Sequence, residues 1–72
     1  MKENEFLSEM QDILDTEKTL TMETGLGDCE AWDSIAYVTF LADMSDYTEK
    51  KISPQEVRTA VTVGDLYHLA FD

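Results

Sequence analysis

The most restrictive feature of this chain is a predicted helix that is apolar around most of its circumference. It follows Trp32, is predicted to begin at Asp33 or Ser34, and runs to about Tyr47. Two lines of apolar residues run along the helix at helical spacing. One consists of Ile35, Val38, Leu41 and Ala42, and the other of Tyr37, Phe40, Leu41 and Met44. A helix of this kind buries one side in its own domain and leaves another side for a partner. Any fold of the chain must be built around it.

The size of the chain limits what can surround this helix. With 72 residues the protein has room for one domain, spanning residues 1–72, and for a small hydrophobic core. A catalytic cleft with a lid and a supporting shell is hard to build from so little chain, which argues against an enzyme. The hydrophobic fraction of 43% is nevertheless too high for a disordered acidic tail, so the domain is expected to fold.

The chain is strongly acidic. Sixteen Asp and Glu residues against five Lys and Arg residues give a formal net charge of -11 at pH 7. Such a surface repels nucleic acid and anionic lipid and attracts proteins with basic patches. The single cysteine, Cys29, fits a reducing compartment, and neither a signal peptide nor a membrane span is visible. We therefore expect a cytoplasmic monomer whose partners are proteins, not nucleic acid or a membrane.

The residues before the central helix divide into a helix and a long loop. A first helix is predicted over residues 4–15, capped by Asn4, because its apolar residues recur at helical spacing: Phe6, Met10, Ile13 and Leu14. Residues 16–33 break this pattern, since Gly25 and Gly27 lie among Thr, Asp and Glu residues. Four apolar residues are predicted to anchor this loop to the core: Leu20, Met22, Leu26 and Trp32.

Residues 53–56 carry the signals of a third helix start. Ser53 is suited to cap a helix, Pro54 fits its first position, and Glu56 completes a capping box. The helix predicted from these residues is short and ends near Val61.

A second capping box, formed by Thr62 and Asp65, predicts the start of the last helix. This helix runs to about Phe71, because apolar residues recur at helical spacing after the box: Val63, Leu66, Tyr67 and Ala70. The patterns together predict three longer helices, one short helix and no strand. With the long loop between the first two helices, they predict an all-α fold, a small antiparallel four-helix bundle.

The hydroxyl of Ser34 is the leading candidate for chemistry. A cap at this helix start, worth roughly 1 kcal/mol, explains Asp33 or Ser34 without any further role. A helix amino terminus also tolerates an anionic group bound to the serine, because its free N–H groups and its dipole favour negative charge. The two interpretations are compatible, since a cap makes the site rigid.

A catalytic role for Ser34 is not expected. A serine nucleophile needs a base and a third group that orients it, and His68, the only histidine, is more simply a surface or packing residue. The acidic residues do not follow the spacing of a calcium loop, and Cys29 with His68 cannot form a structural zinc site unaided. We therefore expect no catalytic residue and no metal site.

These features resemble those of the acyl carrier proteins, small acidic four-helix domains that carry acyl groups on 4'-phosphopantetheine. The resemblance spans nearly the whole chain, including the apolar second helix. Its motifs are Trp32-Asp33-Ser34-Ile35, Ile52-Ser53-Pro54 and Thr62-Val63-Gly64-Asp65-Leu66.

The resemblance implies that Ser34 carries 4'-phosphopantetheine, attached by a separate magnesium-dependent phosphopantetheinyl transferase that uses coenzyme A. The thiol of this arm would hold acyl intermediates as thioesters for the loading and processing enzymes of fatty-acid, polyketide or related specialised synthesis. The implied partner interface consists of Asp33, Ile35, Asp43 and Asp46, in which the carboxylates attract basic patches. Asp43 and Asp46 are equally well explained, with Glu49, as a solvated acidic face.

Two alternatives remain at this point. The first is an aminoacyl or peptidyl carrier of a nonribosomal pathway, although those carriers usually have His or Gly where this chain has Asp33. The second is an acidic protein-interaction module that carries no prosthetic group.

Overall fold

The computed structural model describes all 72 residues, which form four α-helices, one turn of 3₁₀-helix and no strand. The helices are α1 (Glu3–Leu14), α2 (Ser34–Met44), α3 (Pro54–Thr59) and α4 (Val63–Phe71). They have 12, 11, 6 and 9 residues, which confirms the prediction of three longer helices and one short helix. None of them has the length and apolarity that a membrane crossing requires.

One hydrophobic core joins the four helices. It contains 12 buried residues: Phe6, Met10, Leu14, Leu20, Leu26, Ala36, Phe40, Met44, Val57, Val63, Leu66 and Ala70. The Phe6 ring makes edge contacts with the ring of Phe40, at 6.2 Å between centroids, and with that of Tyr67, at 5.2 Å. Because these rings belong to α1, α2 and α4, Phe6 lies where the three longer helices meet.

The two ends of α1 are fixed by local interactions. The helix begins at Glu3, and the prediction that Asn4 caps it is wrong. Instead, the Glu5 carboxylate accepts a hydrogen bond of 3.0 Å from the backbone N–H of Lys2, so an acidic side chain of the first turn takes part in the start of the helix. At the other end Asp15 adopts a left-handed conformation, with φ of 50°, and terminates the helix.

The central helix α2 ends at Met44, three residues before the predicted end. The Ser45 hydroxyl donates a hydrogen bond of 2.6 Å to the carbonyl of Ala42, the acceptor that the Asp46 N–H would use in a continuing helix. The Asp46 N–H bonds to the carbonyl of Asp43 instead. Asp46 therefore lies in the turn after α2, not on the helix.

The short helix α3 begins as predicted but ends at Thr59, before Val61. Ser53 is its N-cap residue and Pro54 its first residue, yet the Ser53 side chain makes no capping hydrogen bond and Glu56 is exposed. The predicted capping box is therefore wrong. The fixed φ of Pro54 is compatible with a helix start without it.

The start of α4 confirms the second predicted capping box. The Thr62 hydroxyl accepts a hydrogen bond of 3.1 Å from the N–H of Asp65, and the Asp65 carboxylate accepts one of 3.1 Å from the N–H of Thr62. The same carboxylate also accepts a bond of 3.0 Å from the N–H of Val61. These backbone donors hold the pKa of Asp65 below its ordinary value.

The long loop between α1 and α2 is attached to the start of α4 by backbone pairing. An isolated antiparallel bridge joins Gly25 to Thr62. On either side of it, the Leu26 N–H bonds to the Val61 carbonyl at 2.8 Å, and the Gly64 N–H bonds to the Met22 carbonyl at 2.8 Å. The sequence gives no sign of this pairing.

The four predicted apolar anchors of the loop differ in how deeply they are buried. Leu20 and Leu26 are buried in the core, and Trp32 is partly buried against it, as predicted. Met22 is only partly buried and is not among the residues that pack on the core, so its contribution is the backbone carbonyl that Gly64 uses.

The close approach of loop and helix at Gly64 leads to a stability prediction. A Cβ at this position would lie 2.7 Å from the backbone carbonyl oxygen of Met22. Ala normally stabilises a helix relative to Gly by about 1 kcal/mol. At this site the overpacking outweighs that gain, so Gly64→Ala is expected to lower the free energy of unfolding by about 1–2 kcal/mol, measured by urea denaturation.

Gly27→Ala is the matched control, because a Cβ there meets nothing within 4 Å. Its free energy of unfolding is expected to stay within about 0.5 kcal/mol of the wild-type value. Equal stability of Gly64→Ala and the wild type would contradict the proposed role of the close approach.

Candidate functional site

Ser34 is the first residue of α2, and its side chain is exposed. The preceding residue, Asp33, is the N-cap, and its Oδ1 accepts a hydrogen bond of 2.9 Å from the N–H of Ala36. The capping role, which the sequence assigned to either Asp33 or Ser34, therefore belongs to Asp33. The Ser34 hydroxyl is left at the surface, on backbone that its neighbour holds in place.

Trp32 and Phe40 fix the start of α2 against the core. The partly buried Trp32 ring makes an edge contact with the fully buried Phe40 ring, at 6.0 Å between centroids. This contact confirms the prediction that Trp32 packs the loop onto the bundle. Ser34 thus directly follows the cap residue and a loop that the aromatic pair holds against the core.

A groove of about 460 Å³ opens beside Ser34. Its lining residues come from the start of α2, the preceding loop and α3: Trp32, Asp33, Ser34, Tyr37, Val38 and Arg58. The volume is in the range of sites that bind small organic groups. A second cavity, of about 390 Å³, lies at the end of α1 beside Cys29 and includes none of the predicted site residues.

Two groove residues that carry polar groups, Tyr37 and Arg58, are not among the site residues predicted from the sequence. The Tyr37 hydroxyl donates a hydrogen bond of 3.2 Å to the carbonyl of Pro54, which connects α2 to α3. The guanidinium carbon of Arg58 lies 5.4 Å from the centroid of the Tyr37 ring. Tyr37 could have been found from its position one helical turn after Ser34. Arg58 gives no such signal, because it comes from another helix.

Ile35 and Val38 form an exposed apolar surface on α2 next to Ser34. Their side chains are 75% and 59% exposed, although Ala36 and Phe40 on the same helix are buried. The expectation that α2 buries one side and leaves an apolar side outside the core is confirmed.

The four predicted interface residues lie in two places. Asp33 and Ile35 are exposed and adjoin Ser34, whereas Asp43 and Asp46 lie at the opposite end of α2. Asp46 is exposed in the turn, but Asp43 is partly buried, and its Oδ2 is buried without a hydrogen-bond donor.

Asp43 faces a second carboxyl group, that of Glu9 on α1. Two ionised carboxylates cannot hydrogen-bond to each other, so the contact becomes favourable only when one of them carries a proton. The hydrogen bond that a protonated Glu9 would donate to Asp43, together with desolvation and the charge of Asp43, raises the pKa of Glu9 above its ordinary value of 4.5. Asp43 is therefore also part of a contact between α1 and α2.

His68 does not line the groove of Ser34. It is exposed on α4 and pairs with Asp72, one turn further along the chain. No group of three or more His, Cys, Asp or Glu side chains is arranged to hold a metal ion. The groove thus offers an exposed hydroxyl, one cation, the carboxylate of Asp33 and apolar walls.

Comparison with protein-family models, with curated proteins and with solved structures finds no match to this chain.

The contact between Glu9 and Asp43 predicts a pH dependence of stability. Because the pKa of Glu9 is raised on folding, the folded state binds more protons than the unfolded state at pH values from about 4.5 up to the raised pKa. This contribution favours folding at low pH and is lost as the pH rises. Glu9→Gln removes the repulsion, so its thermal midpoint at pH 7 is expected to exceed that of the wild type, measured by circular dichroism.

Glu17→Gln is the control, since it removes the same charge from an exposed position in the loop. If the thermal midpoint rises equally in Glu9→Gln and Glu17→Gln, the effect comes from the change in net charge and not from the contact with Asp43.

Proposed function

We propose that this protein is an acyl carrier that bears 4'-phosphopantetheine on Ser34. The observation that supports this best is the position of the Ser34 hydroxyl. It is exposed at the first residue of α2, beside a groove, while Asp33 caps the helix and Trp32 holds the preceding loop. This arrangement suits a hydroxyl that another enzyme modifies.

The modification is a transfer from coenzyme A. The Ser34 oxygen attacks the β-phosphorus of the coenzyme and forms a new P–O bond. The bond from that phosphorus to the oxygen of the 3',5'-ADP group breaks, and 3',5'-ADP leaves with the bonding electrons. The serine proton passes to a base of the phosphopantetheinyl transferase. In this proposal the transferase supplies both the base and the magnesium ion.

The residues around Ser34 suit the product of this transfer. The phosphodiester carries one negative charge at the amino terminus of α2, where the helix dipole favours an anion. When bound, the arm would supply a thiol that carries acyl groups as thioesters, and the protein would present these groups to partner enzymes. The proposal includes an acyl-carrier-like antiparallel bundle as the fold. It also includes a protein that acts as a monomer in the cytoplasm.

Partner enzymes would dock beside the serine. Ile35 and Val38 supply an exposed apolar contact next to Ser34, and Asp33 supplies a negative charge at the same end of α2. Asp46 lies apart from them in the turn after α2, where it would act through longer-range attraction of basic patches. Asp43, which is partly buried beside Glu9, is the least accessible of the proposed interface residues.

The decisive experiment is incubation of the purified protein with coenzyme A, magnesium and a phosphopantetheinyl transferase of broad specificity, followed by intact-mass measurement. The wild type is expected to gain one phosphopantetheine group. Ser34→Ala is expected to gain none, because it lacks the attacking oxygen. Ser8→Ala, which changes an exposed serine on α1, is expected to be modified like the wild type.

The same measurement decides between the proposed function and its alternatives. A wild type that stays unmodified with several transferases would favour the interaction module. A modified protein that is then loaded by amino-acid-activating enzymes and not by acyl-loading enzymes would favour the nonribosomal carrier.

The proposed docking surface is tested by Ile35→Glu. A charge in place of a side chain that is 75% exposed should leave the fold intact but disturb an apolar contact beside the serine. The kcat/KM of modification is expected to fall roughly tenfold or more. Val61→Glu is the control, because Val61 is 68% exposed and does not line the groove. An equal effect of both variants on kcat/KM would contradict the docking surface.

A further inference from the structure

Arg58 has no acidic partner in a chain that is rich in acidic residues. The protein contains 16 Asp and Glu residues, yet none of them lies within salt-bridge distance of an Arg or Lys side chain, and the one close pair joins His68 to Asp72. The guanidinium group of Arg58 lies instead over the ring of Tyr37, at 5.4 Å from its centroid. The charge of Arg58 therefore contacts an aromatic ring and is not neutralised by a carboxylate at salt-bridge distance.

The contact with Tyr37 also places this charge at the groove that opens beside Ser34. Tyr37 is anchored at its other end by the hydrogen bond of 3.2 Å from its hydroxyl to the Pro54 carbonyl. The ring thus spans from α2 to the start of α3 and supports the guanidinium above it. Ser34, Tyr37 and Arg58 line the same groove. A guanidinium group offers five N–H donors in a planar fork that matches phosphate oxygens.

We propose that Arg58 binds the phosphate of the group attached to Ser34 and so directs the arm along the groove between α2 and α3. This inference rests on the proposed function, because it assigns a residue to the phosphodiester that the function requires. Bound in this way, the first part of the arm would lie against the groove walls formed by Tyr37 and Val38. The arm would then leave the protein on the α3 side of Ser34.

The helix dipole alone does not explain the position of Arg58. A basic residue in the last turn of α3 is favoured by the helix dipole, but that preference does not depend on where the guanidinium points. Asp33, the other charged residue of the groove, already uses one carboxylate oxygen to cap α2. Arg58 is therefore the groove residue that is suited to bind an anion.

The test compares unmodified and modified protein in four forms: wild type, Arg58→Gln, Arg58→Lys and Lys51→Gln. Attachment of an anionic group to so acidic a protein increases its self-repulsion, and Arg58 offsets this increase in the wild type. The quantity compared is the thermal midpoint of the modified protein minus that of the unmodified protein. At low salt this difference is expected to be lower in Arg58→Gln than in the wild type by about 2–6 °C. This difference should shrink in high salt, where the charges are screened.

The two other variants separate a specific contact from a general charge effect. Lys51→Gln removes the same charge at an exposed position beyond the far end of α2, and it is expected to behave like the wild type. Arg58→Lys keeps the charge without the fork and is expected to lie between the wild type and Arg58→Gln. As a second readout, the Nε–H proton resonance of Arg58 is expected to move downfield on modification of the wild type.

Intact mass distinguishes the failure of this inference from the failure of the proposed function. If the wild type and Arg58→Gln are both modified, but the midpoint changes are equal and the Nε–H resonance does not move, the role of Arg58 is overturned and the carrier function stands. If the wild type is not modified at all, both proposals fall. A midpoint change in Lys51→Gln equal to that in Arg58→Gln would also overturn the role of Arg58.

Discussion

The position of Ser34 depends on the packing of Phe40. This ring is completely buried and contacts Phe6 of α1 on one side and Trp32 of the preceding loop on the other. The first contact sets the place of α2 in the bundle, and the second holds the chain just before the helix begins. Ser34 lies between Trp32 and Phe40 along the chain, so the same aromatic cluster that stabilises the domain also fixes its candidate site. In a domain of 72 residues, core and site cannot be separate regions.

The sequence predicted elements well where short-range interactions determine them. The start of α4 follows from the reciprocal hydrogen bonds of Thr62 and Asp65, which involve neighbouring residues only. The predicted end of α2 is wrong, because the Ser45 hydroxyl bonds to the carbonyl that the next turn of a longer helix would need. The apolar pattern does not reveal this competition. The pairing of Gly25 with Thr62 was also missed, since it joins two segments whose side chains carry no pattern for it.

The candidate site shows the same division. Ser34, Asp33 and Trp32 are adjacent in the chain. Local rules about helix starts limit the cap to Asp33 or Ser34, and it belongs to Asp33. The packing of Trp32 follows from its apolar ring just before a buried helix. Arg58 enters the groove only because α3 packs on α2, an arrangement that the contact of Tyr37 with Pro54 helps to fix. A basic side chain on a short helix has many possible neighbours, and only the tertiary structure selects one.

The backbone pairing between the loop and the start of α4 has a consequence for how the domain opens. The amide protons of Leu26, Val63 and Gly64 are all used in bonds between these two segments. Separation of α4 from the bundle would release the three amides together and free the loop that leads to Trp32. Local unfolding at the carboxyl-terminal end of the chain should therefore spread to the backbone around Ser34, so that these distant segments exchange their amide hydrogens as one cooperative unit.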